Sequence, residues 1–106
     1  AAEEAVSIRR GLAAERPDAF LPYLGNALRT LANRLDEVDR KHDALSANLE
    51  AISKLKTSFL RHPPSFIHWM TPMCQQYIQR CETLGETVDE ELLGPIAEAI
   101  QKMEKT

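Results

Sequence analysis

The sequence predicts an all-α protein: antiparallel helix pairs stacked as a short solenoid of about five helices. Three observations predict it. Apolar residues recur at steps of three and four along most of the chain. Prolines and glycines fall between those periodic stretches, where helices stop. Groups of residues return some 46 positions later, the mark of a stacked helical repeat.

A first helix is expected over 3–15, closed by Pro17-Asp18, with Asp18 as N-cap of the next. The second, over 18–38, carries its apolar face on Phe20, Leu24, Leu28, Leu31, Leu35 and Val38. A tight turn is expected over 39–41. Leu45, Leu49, Ile52, Leu55 and Phe59 then draw a third helix to Arg61, stopped by His62-Pro63-Pro64. Ser65 is placed to cap a fourth, with Phe66, Met70, Tyr77, Cys81 and Leu84 as its stripe and Gly85 as its stop. Thr71-Pro72 either kinks that helix or starts it late. In the final segment, 87–105, Gly94-Pro95 is expected to split a short turn from a terminal helix. No stretch alternates with a strand's period of two.

The repeat is carried by several groups at once. Glu4-Ala5-Val6 returns as Glu50-Ala51-Ile52 after 46 residues and as Glu98-Ala99-Ile100 after a further 48. Pro17-Asp18-Ala19-Phe20 returns as Pro63-Pro64-Ser65-Phe66, and Leu24, Leu31, Leu35 and Val38 map onto Met70, Tyr77, Cys81 and Leu84.

Composition narrows the function classes. Residues 1–106 amount to one domain, with 43% apolar and 27% charged residues, an ordinary globular balance. A net charge of -3, and a single basic cluster (Arg40-Lys41-His42) flanked by Asp39 and Asp43, argue against nucleic acid as a partner. No run reaches the roughly 18–20 apolar residues of a membrane span. Cys74 and Cys81 lie about two helical turns, roughly 10 Å, apart on one face, too far to bridge. They read as reduced thiols and the protein as cytoplasmic. The chain opens Ala1-Ala2-Glu3 without a Met, which fits a piece of something longer.

Thr30-Leu31-Ala32-Asn33-Arg34-Leu35, then Asp43-Ala44-Leu45, then Glu50-Ala51-Ile52 resemble a tetratricopeptide repeat. Ala32, Ala44 and Ala51 fall at that family's small positions, where helix axes approach closely. The stretch Arg9–Pro22 resembles its long-unit, kinesin-light-chain-like subtype, with the similarity strongest over residues 3–62. Asp39 stands where the family places Gly, Asn48 where it packs an aromatic, and Ile78 at a small position of the second unit, which reads as a degenerate terminal unit.

The resemblance implies a right-handed solenoid whose concave groove binds a peptide or partner domain. Carried over, the groove positions are Asn26, Arg29, Asn33, Asp36 and Glu37, joined from the second unit by Gln75 and Gln79. The matching second-unit positions, Pro72, Gln75, Gln79, Glu82 and Thr83, contain no cation. Arg29 and Asn33, four apart, could together hold a carboxylate and a peptide backbone. Trp69, with Phe66, His68 and Met70, is either an exposed anchor or packs against Phe59 and Leu60.

No chemistry is expected of the chain. His62, His68, Cys74 and Cys81 lack the close paired spacing of a zinc site, and no Gly-rich phosphate loop exists. Asp89-Glu90-Glu91 is a charged helix start. The expected protein is therefore a non-enzymatic interaction scaffold without cofactor or metal. The alternative is a structural module that forms a homo-oligomer or ends a larger superhelix.

Overall fold

A computed structural model describes residues 1–105. Five α-helices account for nearly all of them: α1 (Ala2–Glu15), α2 (Pro17–Glu37), α3 (Lys41–Arg61), α4 (Pro63–Leu84) and α5 (Glu90–Glu104). Among the described residues there is no strand. Each helix packs on the next across a short connection, so neighbours run antiparallel, and α5 also packs on α3. The molecule measures 41 × 36 × 20 Å. Its thinnest dimension is two helix diameters of about 10 Å.

The helix starts differ from expectation in a consistent way. Pro17 and Pro63 are themselves the first helical residues, with Arg16 and His62 as N-caps. Proline suits that position because its missing N–H would have no partner there. Asp18 and Ser65 therefore sit inside the first turn instead of capping it. Val38, assigned to the buried stripe, lies beyond the end of α2 and is 65% exposed. The turn after it puts Asp39 at φ 63°, a left-handed geometry that Asp tolerates better than most residues. Gly85 closes α4 at φ 69°.

Neither interior proline ends a helix, which rules out a late start at Pro72 and the expected split at Gly94-Pro95. Pro72 lies within a continuous α4, and Gly94-Pro95 within a continuous α5. Pro95 cannot donate to the Glu91 carbonyl four residues back, but Lys56 Nζ donates to that oxygen from α3 at 3.4 Å. Asp89 caps α5 by accepting from the Leu92 N–H at 3.0 Å.

The core is the face that the periodicity marked. Leu24, Leu28, Ile52, Leu55, Phe59, Met70, Tyr77 and Cys81 are all buried, with Ile96 arriving from α5. Ala32, Ala44 and Ala51 are at most 1% exposed, as small residues at helix crossings must be. Gly25 is the tightest point. A Cβ there would stand 3.0 Å from the Ala51 carbonyl and 3.3 Å from Leu55 Cβ, so α2 and α3 meet almost backbone to backbone. Ile78, by contrast, is 40% exposed and faces away from any crossing.

Candidate functional site

Long side chains of α2 and α4 meet across a seam, and their contacts are spaced by nearly the repeat step. Tyr23 meets Trp69 edge-on with ring centroids 6.0 Å apart, a step of 46 residues. Asn33 meets Arg80, a step of 47. Nearly equal steps at two points show that the helices run parallel, as first helices of successive repeat units must. Trp69 thus packs across the unit boundary against Tyr23 and beside Phe66 and His68, while Leu60 stays 40% exposed.

At the C-terminal end of this seam is a cleft of about 380 Å³, lined by Asn33 and Asp36 of α2, Lys41 of α3, and Gln76, Gln79, Arg80, Thr83 and Leu84 of α4. Arg80 organises it. Its side chain is only 14% exposed, so its charge must be answered locally. Nη1 donates to Asn48 Oδ1 at 2.5 Å, Nη2 donates to Asn33 Oδ1 at 3.0 Å, and Asp36 Oδ2 lies 3.9 Å from Nη2. Asn48, fully buried on α3, also donates through Nδ2 to the Met73 carbonyl at 3.1 Å. One guanidinium and one amide thus tie α2, α3 and α4 together. That is why a polar residue stands at 48, where a large aromatic was the expected type.

Asp36 has a second partner: Lys41 Nζ donates to its Oδ1 at 2.6 Å. This bond holds the Asp36 carboxyl below the usual carboxylate range and raises the Lys41 ammonium, with Arg80 adding to the effect on Asp36. Two polar atoms of the cleft residues remain buried without a hydrogen-bond partner among the described residues. One is an acceptor, Gln76 Oε1, and the other a donor, Arg80 Nε.

Of the seven positions expected to form the groove, the fold gathers Asn33, Asp36 and Gln79 into this cleft. Asn26 and Arg29 are half-buried along the seam outside it, and Arg29 Nε has no partner among the described residues. Glu37 is exposed and pairs with Arg34 at 3.2 Å, and Gln75 is exposed outside the cleft. Of the Arg29–Asn33 pair, the Asn33 oxygen is engaged by Arg80. Nor does the second unit lack a cation. Arg80 supplies one, a single position beyond Gln79.

Other chemistry-bearing residues do not converge. Among the described residues, no three His, Cys, Asp or Glu side chains are grouped to hold a metal ion. Burial pushes the Cys74 thiol up to about 11, and Cys81 is buried in the core. No described helix is long and apolar enough to cross a membrane. No protein-family model, curated protein or solved structure matches this chain.

Proposed function

We propose that this chain is a tetratricopeptide-like interaction module that holds a peptide or a partner domain in the cleft between α2 and α4. The observation that carries this is the cleft's position: a polar depression built by parallel helices of successive units, at their 46- to 47-residue step. Exposed Gln79 and Thr83 give its rim polar groups that a partner can reach. The reading assigns no catalysis to the chain. It places the protein in the cytoplasm, supported by two free thiols, Cys74 and Cys81.

A photoreactive benzophenone side chain at position 79 tests it. A discrete cross-linked partner is expected from that position and none from position 101, on the exposed surface of α5. Equal labelling from both positions, or none from position 79, would sink the reading.

A second reading, self-association, is favoured by one specific observation. On α1, Ile8 is 58% exposed and Leu12 38%, one helical turn apart on the same face. In that case sedimentation shows a concentration-dependent dimer, and Ile8→Glu returns it to monomer. A monomer throughout the accessible concentration range removes this reading.

A further inference from the structure

Resting on the self-association reading, we infer that α1 pairs with α1 of a second copy, antiparallel about a two-fold axis, with Glu4 of each copy held by Arg16 of the other. Helix α1 buries only Val6 and Ala13, so its opposite side is bare. Glu4, Ile8, Gly11, Leu12 and Glu15 are all exposed there, at the spacing of one helical face. Ile8 and Leu12 form the apolar centre of that face, at 58% and 38% exposure.

Two further features of α1 have no use within the single chain. Gly11 stands in mid-helix, where glycine weakens a helix, and a Cβ there would meet nothing within 4 Å. Gly25 is needed because α2 and α3 nearly touch. Gly11 has no such neighbour in its own chain, and it lets a second backbone come close to α1. Glu4 and Arg16 are exposed, and neither side chain has a hydrogen-bond or ion-pair partner among the described residues. Arg10, on the inner side of α1, is by contrast committed to Glu50 through both Nη atoms.

The charges choose the direction. Glu4 lies four residues before Ile8, and Arg16, the C-cap residue, four residues after Leu12. With the two-fold axis midway between Ile8 and Leu12, Ile8 of one copy faces Leu12 of the other and Glu4 faces Arg16, twice over. Glu15 falls opposite Ala5, which carries no charge. A parallel pair would instead set Glu4 on Glu4 and Arg16 on Arg16. The antiparallel arrangement also lays each helix N-terminus beside the other's C-terminus, which the helix dipoles favour. The 14 residues of α1 make a contact about 21 Å long, short of a standard interface, so the dimer is weak and forms at high micromolar concentration.

Sedimentation equilibrium on the intact chain, at low and at moderate salt, tests the pairing. The unaltered chain is expected to dimerise, more weakly in salt. Glu4→Arg and Arg16→Glu each put two like-charge contacts into a homodimer and weaken it about tenfold, and the double variant restores the affinity. An equimolar mixture of the two single variants forms a heterodimer in preference to either homodimer, since both contacts are then complementary. Gly11→Gln raises the thermal midpoint of dilute protein yet weakens the dimer about tenfold, opposite signs that a merely structural role does not give. If a dimer forms that neither charge reversal weakens, or that the double variant fails to restore, the antiparallel pairing falls and self-association stands. If the unaltered chain stays monomeric up to millimolar concentration, both fall.

Discussion

Arg80 and Asn48 show how much can rest on two side chains. Asn48 is wholly buried and Arg80 nearly so, and each satisfies the other while reaching a second helix. Removing one leaves a polar atom of the other without its partner in the interior, which costs more than the bond itself. Asn48→Ala should lower the unfolding free energy by about 2–4 kcal/mol in urea titrations. The double variant Asn48→Leu, Arg80→Met should lose less than the sum of its singles, because neither group is then stranded. Two exposed or half-exposed carboxylates set the acid limit. Asp36 is held low by Lys41, and Glu50 by its hydrogen bond to Arg10. A depressed carboxyl contributes stability above its unfolded value, near 4, and loses it as pH falls through the folded value. Thermal midpoints should therefore drop from pH 5 to pH 2.5, and less steeply in Asp36→Asn and Glu50→Gln. Cys74 is governed by burial: with its thiol raised to about 11, native protein at pH 8 should react slowly with a disulfide reagent and rapidly once unfolded.

Single helices are limited by how closely they approach one another and by how they survive their own prolines. Gly25 lies where α2 touches the backbone of α3, so Gly25→Ala should destabilise by about 1–3 kcal/mol even though Ala favours a helix. Gly94 is the control. It is a mid-helix glycine with open space around its Cβ position, and Gly94→Ala should stabilise by about 0.5–1 kcal/mol. Calorimetry on the two variants should give shifts of opposite sign. At Pro95 the missing hydrogen bond is answered from another helix, by Lys56. No inspection of residues 87–105 alone could find that compensation, and the expectation of a break there followed from local rules that hold only for an isolated helix. At Pro17 and Pro63 the reverse holds: the local rule for proline at a helix start applies, and Asp18 and Ser65 fall inside the first turn.

At the scale of the whole molecule, burial is concentrated in the middle. Helices α2 and α3 contribute most of the core, whereas α1 buries only Val6 and Ala13 and α5 only Ile96. In a stacked array each helix depends on its neighbours, so the ends should open first. Hydrogen exchange should show the strongest protection in α2 and α3 and the weakest in α1 and α5. Uniform protection across all five would mean that the chain unfolds as one indivisible unit. Surface salt links between helices, such as Arg61–Asp18 at 3.4 Å with both side chains largely exposed, add little to this balance.

The sequence by itself determined the helical class, the places where most helices end, the buried stripes and the 46-residue step. All four are local or periodic properties: hydrophobic spacing sets which face turns inward, and proline and glycine set where a helix stops. It could not determine which polar residues meet across the α2–α4 seam. Advancing one residue along a helix rotates the side chain by about 100°. The step of 46 that aligns Tyr23 with Trp69 becomes 47 at Asn33, and this brings Arg80 into the cleft beside Gln79. That small slip engaged the Asn33 oxygen, gave the second unit its cation, and gave the buried Asn48 its counterpart. Only the packed arrangement of three helices could decide it.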